Sequence, residues 1–155
     1  MLGLLDRLGG RVVELGPAEH DQIAATTQAL THAAVLGFGM ALADLAPGAA
    51  GAEPRLDLAT IAAVGPPPHQ TLLALLARIS GGTSEVYWDV QHGNPLAGPA
   101  RAALAATLHR LAALIDRDDS AAFHAELAGI REFFGPHLDE YRKLCARLFA
   151  ELPTR

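Results

Sequence analysis

The chain has 155 residues, half of them apolar and 19% charged, enough for one domain with a buried core and too apolar for a disordered tail. Twelve Lys and Arg against seventeen Asp and Glu leave a formal net charge of −5, with no basic cluster to offer nucleic acid. A single cysteine, Cys145, excludes an internal disulfide and a Cys-based metal site, and points to a reducing, cytoplasmic setting.

Residues 2–8 read as one or two helical turns closed by Gly9-Gly10. Their apolar run is too short, and Asp6 comes too early, for a secretory signal. Residues 11–15, RVVEL, alternate and are β-branched, so they read as one short strand, for which the chain supplies no obvious partner. Gly16-Pro17 breaks the chain, and Pro17 suits the first turn of a helix. Glu19 and Asp21 fall where the helix dipole favours negative charge.

The helix so begun runs to about residue 44, and from 22 to 43 it carries no formal charge. A helix with no polar face must be buried on every side, which asks for several neighbouring helices or a partner subunit. The run is long enough to cross a bilayer. Two Gln, three Thr and His32 inside it, with no basic flanks, argue against a membrane helix.

Residues 47–54 are a loop of small residues, and 56–64 a short helix closed by Gly65 and three prolines. Residues 70–79 form a second strongly apolar helix whose one charge is Arg78. Gly81-Gly82 ends it, and Ser84 is placed to cap a short helix over 85–91. Asn94-Pro95 reads as the cap and first residue of a helix ending near 116–119, although Pro99 leaves its start open by about a turn.

Ser120 reads as the cap of a last helical region. Its apolar stripe runs from Phe123 through Leu127, Ile130, Phe134, Leu138, Tyr141, Cys145 and Leu148 to Leu152, spaced by threes and fours. A kink is expected at Gly135-Pro136. The fold class is therefore all-α, a single domain over 1–155 with five or six helices and at most one short strand.

Three residues carry the candidate chemistry: His32, Arg78 and Trp88, each polar or amphipathic within an apolar helical stretch. His32 is a satisfied core histidine or a ligand-binding group. Arg78, expected near a buried surface, pairs with an acid or holds a ligand carboxylate through its planar fork. Trp88 packs, or walls a pocket. The other histidines show no zinc-type spacing, so no metal site is expected. No P-loop, nucleophile elbow or strand-linked glycine fingerprint is present.

RVVELGPAEHDQ, QALTHAAVLGFGMAL, LLALLARI and EVYWDVQ followed by Asn94-Pro95 together resemble the C-terminal domain of prephenate dehydrogenases. The likeness runs from about residue 10 to 149, its most specific parts being Glu19-His20-Asp21 and Trp88-Asp89. It implies an all-helical, intertwined homodimer with the uncharged helix at its centre. It further implies that His32 lines the substrate pocket, that Arg78 anchors a substrate carboxylate and that Trp88 borders the same pocket, with Gln28 also among the substrate-binding residues. The family's nucleotide-binding domain, with its glycine fingerprint and catalytic histidine, has no counterpart in this sequence. Residues 11–15 look like a remnant of the region where the two domains meet.

A self-sufficient NAD-dependent dehydrogenase is thus not expected, and no cofactor is assigned. The leading expectation is a stand-alone enzyme that binds prephenate or a related cyclohexadienyl dicarboxylate and acts on it without NAD. Decarboxylative dehydration or related non-redox lyase chemistry would be the reaction, with decarboxylation alone and isomerisation as variants and His32 as catalytic acid, in aromatic amino-acid or secondary metabolism. The alternatives are a substrate-binding and dimerisation subunit completed by a separate nucleotide-binding chain, a non-catalytic ligand-binding module, and a fragment of a longer enzyme. Met1 and the leading helix count against the last.

Overall fold

The computed structural model describes residues 13–45 and 57–152; the expected turns at 2–8 and the loop at 47–54 lie outside them. The described residues are all-helical. A rod of three consecutive parts comes first: α1 (Pro17–Ala24), a π-helical turn (Ala25–Ala29) and α2 (Leu30–Leu45). Then follow α3 (Leu58–Val64), α4 (Pro67–Ser80), α5 (Ser84–His92), α6 (Ala97–Asp116) and α7 (Ser120–Phe134). A 3-10 turn (Gly135–His137) leads into α8 (Leu138–Ala150). No described helix is long and apolar enough to cross a membrane.

Val13, Glu14 and Leu15 form no strand, while Arg11 and Val12 lie outside the described residues. With no second strand among the described residues, their backbone groups have no ladder to join. Three caps depart from expectation: at α6 Leu96, not Asn94, stands at the N-cap, with Pro95 outside the helix, and two others shift by one residue. Asp119, not Ser120, is the N-cap of α7 and accepts from the Ala122 N–H at 3.0 Å. Thr83, not Ser84, stands at the N-cap of α5, and without a side-chain cap bond. At α3 Asp57 accepts from the Thr60 N–H at 2.7 Å, and this bond holds its carboxyl below the usual range.

The π turn has a local cause. The Thr26 and Thr27 hydroxyls donate back to the Gln22 and Ile23 carbonyls, at 2.9 and 2.7 Å, competing with the ordinary helical N–H donors. The widened turn leaves carbonyls turned outward, and two side chains take them. Gln91 Nε2 donates to the Ala29 carbonyl at 2.8 Å, and Asn94 Nδ2 to the Asp21 carbonyl at 2.7 Å. These bonds pin α5 and the turn before α6 to the rod, the Asp21 carbonyl accepting from the Ala25 N–H as well.

The rod packs against α4 on one side and α5 and α6 on another. Small residues make these approaches close. Ala25, Ala29 and Ala97 are buried where the π turn crosses α6. A Cβ on Gly39 would stand 2.5 Å from Leu76 Cδ1, so a side chain there would force Leu76 to shift at the approach of α2 to α4. α7 folds back on α6, and α8 reaches α4.

The kink expected at Gly135-Pro136 is present. Gly135 has φ 51° and ψ −129°, a region that an L side chain rarely enters. Among the described residues the buried apolar set is Ala25, Ala29, Val35, Ile79, Ala97 and Leu114, and no large side chain is fully buried. Tyr141, Leu144 and Leu148 on α8 are exposed, as are Met40 and Leu45 on α2.

Candidate functional site

α5 starts directly after the Gly81-Gly82 turn and carries Tyr87 and Trp88 side by side. Consecutive helical residues diverge by about 100°, so the two rings take different faces. Tyr87 turns to the rod, where its ring meets His32 edge-on with centroids 5.1 Å apart and planes at 73°. Gly82 makes room, since a Cβ there would be 2.8 Å from Tyr87 Cε2. Trp88 turns outward, 64% exposed, and its indole stacks on His92, one turn on, at 5.1 Å and 12°.

Trp88 is the wall between two clefts. One, of about 400 Å³, is bounded by Leu36 of α2, Ile79 and Ser80 at the end of α4, Gly82, and Ser84, Tyr87 and Trp88 of α5. Its surface is mainly apolar with three hydroxyls, which suits a ring bearing a few polar groups. The other, of about 300 Å³, lies beyond Trp88 between α5 and the start of α6, and is far more polar. Gln91, His92, Asn94, Gly98 and Arg101 line it.

His32 is half-buried. Its Nδ1 is buried without a hydrogen-bond partner among the described residues, although a buried polar atom ordinarily has one. Arg78 is exposed in the last turn of α4, so the expectation that it lies near a buried surface fails in the single chain. Its position on the helix turns it away from buried Ile79, which is a wall of the first cleft. Gln28 is exposed in the π turn and lines neither cleft.

The structure thus brings His32 against Tyr87, which shares the first cleft with Trp88, while His32, Arg78 and Gln28 themselves line neither cleft. Reasoning from sequence missed Tyr87, although it is the neighbour of Trp88 in EVYWDV. It also missed Arg101, which reads as an ordinary solvated charge on a helix.

Two other features are packing by their surroundings. His69 also buries an unpartnered nitrogen, Nε2, but its ring is wedged edge-on against Phe38 at 5.6 Å. A third hollow of about 200 Å³ between α6 and α7 has an apolar floor of Leu111, Leu114, Phe123 and Leu127, bridged by Arg110 Nε to Glu126 Oε1 at 2.9 Å. Among the described residues no group of three or more His, Cys, Asp or Glu could hold a metal. Nor is there a strand leading into a glycine-rich turn, so the described residues do not fit a dinucleotide.

Comparison with known proteins returns three relatives. A 4-amino-4-deoxyprephenate dehydrogenase of Streptomyces pristinaespiralis is 45% identical over 144 residues, 93% of this chain and 46% of that protein. A probable arogenate/prephenate dehydrogenase of Methanocaldococcus jannaschii is 28% identical over 91 residues, 59% of this chain and 18% of that protein. The T-protein of Enterobacter agglomerans is 26% identical over 137 residues, 86% of this chain and 33% of that protein. The chain therefore spans less than half the length of each of these relatives. No family model matches it, and no solved structure does.

Proposed function

We propose, from the premise that this chain is a prephenate dehydrogenase-family domain of the C-terminal type, that it binds a cyclohexadienyl dicarboxylate of the prephenate class against Trp88 and acts on it without NAD. The aromatic group of Trp88, Tyr87 and, packed on Tyr87 outside the lining of the cleft, His32 carries this reading. It joins an aromatic wall, a mainly apolar cleft with hydroxyls and an imidazole nitrogen lacking a partner.

The chemistry needs little from the protein. Loss of the ring carboxylate as CO2 leaves its bonding pair to aromatise the ring while the hydroxyl departs from the opposite carbon. A proton donated to that hydroxyl makes the leaving group water, and the organic product is phenylpyruvate. Where an amino group stands in place of the hydroxyl, ammonia leaves instead. His32 is the proposed acid, through the Tyr87 side of the cleft, a role suited to imidazole near neutral pH. Arg78 is the proposed anchor of one carboxylate, and Gln28 a further proposed contact.

Both Arg78 and Gln28 face solvent in the single chain, which fits a site closed by a second copy. The exposed apolar faces of α2 and α8 support such a homodimer.

A second reading is favoured by the relatives: two are named as dehydrogenases and each is more than twice as long as the matched stretch. In it, this domain holds substrate and dimerises while a separate nucleotide-binding chain supplies the redox half.

Incubating the purified chain with prephenate alone and following phenylpyruvate by absorbance decides between them. Turnover above the spontaneous rate is expected, with most of it lost in Arg78→Ala and His32→Ala. Prephenate that binds but does not turn over would remove the first reading and leave the second.

A further inference from the structure

The polar cleft beyond Trp88 lies outside the cleft of Tyr87 and Ser80 and has a chemistry of its own. Arg101, near the start of α6, donates from Nη1 to the Gln91 carbonyl at 2.6 Å and to Gln91 Oε1 at 2.8 Å. Gln91 is itself tied to the rod through the Ala29 carbonyl. One corner of the guanidinium is thus fixed on a rigid support. No described carboxylate pairs with Arg101, and the edge bearing Nη2 is free.

Nη2 lies 4.0 Å from where a Cβ on Gly98 would be, an ordinary contact distance, so position 98 borders that edge. His92, stacked under Trp88, adds a ring N–H donor on the same wall. A fixed, unneutralised guanidinium beside an aromatic wall and a vacant cleft of about 300 Å³ is an arrangement for a carboxylate, which takes two parallel N–H donors from such a fork.

We propose that Arg101 is a second carboxylate-binding residue, and that Trp88 is straddled by one ligand. The ring would lie in the cleft of Tyr87 and Ser80, with one carboxylate reaching round the indole to the free edge of Arg101. This rests on the reading that the chain binds a prephenate-class dicarboxylate. It gives that ligand two cationic contacts, Arg78 and Arg101, for its two negative charges. His92 positions the indole and donates to the carboxylate from the side.

Trp88 is the chain's single tryptophan, so intrinsic fluorescence reports on the partition directly. The test is a fluorescence titration of the full chain with prephenate, for wild type and two variants. Arg101→Gln removes the charge. Gly98→Glu keeps Arg101 and its Gln91 bonds but tethers a carboxylate beside the free edge. An acid in the first turn of α6 also suits the helix dipole, so Gly98→Glu should fold at least as well as wild type. Melting curves read this separately.

Both variants are expected to weaken prephenate at least ten-fold, Gly98→Glu with an unreduced melting temperature. Wild-type affinity in Gly98→Glu would overturn the proposal, and a loss confined to Arg101→Gln with a lowered melting temperature would assign Arg101 to structure alone. If wild type itself gives no fluorescence response and no calorimetric heat with prephenate, the underlying substrate reading fails, an outcome distinct from unequal affinities.

Discussion

His32 sits at a balance between stability and use. A buried nitrogen without a partner costs free energy of about 1–3 kcal/mol relative to a satisfied one, and Nδ1 of His32 is such an atom among the described residues. His32→Leu fills similar space and removes the unpaired group. Its urea-denaturation midpoint is expected to stay or rise, while prephenate affinity or turnover falls at least ten-fold. A fall in both together would make His32 a packing residue. From sequence, the histidine and the tryptophan were legible because each interrupts an apolar helical pattern. The exposure of Arg78 was not, since periodicity shows which residues share a face but not whether another helix covers it.

The elements obey local rules where those rules are strong. Proline starts, glycine stops and the kink before α8 all follow from residues with restricted or unusual backbone freedom. Gly135→Ala is expected to cost roughly 1–3 kcal/mol, because φ 51° with ψ −129° is closed to a side chain. Chemical denaturation measures it, and an unchanged midpoint would mean that the turn can relax to ordinary helix. The caps at Asp119 and Thr83 fell one residue from expectation because Asp-Ser and Thr-Ser pairs offer two candidate oxygens in succession. The strand expected at 11–15 failed at Val13–Leu15 for a reason no local pattern reveals. Pairing is a property of two segments, and the second is not among the described residues.

At the scale of the whole molecule, the buried set among the described residues consists of small and medium side chains, and the proposed second copy would add to it by covering the exposed apolar faces. Leucine is the largest member of that set. Leu144 and Leu148 lie on the exposed stripe of α8, and Met40 and Leu45 on that of α2. Sedimentation equilibrium at micromolar concentration should return twice 16.2 kDa, and Leu148→Glu should shift the mass toward the single chain and lower the melting temperature. A stable, well-folded monomer of the wild type would show that the exposed faces need no second copy. The demand for burial made by the uncharged run was visible in the sequence; among the described residues α4, α5 and α6 meet part of it, and the proposed second copy would meet the rest.

The π turn at Ala25–Ala29 changes the phase of the rod. One residue more than an α-helix needs is housed there, so the faces of α1 and α2 are out of step by about 100°. A single apolar stripe cannot be drawn through residues 17–45. A deletion of one residue at Thr26 or Thr27 would restore ordinary pitch and rotate Asp21, and with it the carbonyl that Asn94 holds, away from α6. The extra residue therefore acts as a coupling joint, setting the angle at which α1 meets the helix that carries Arg101.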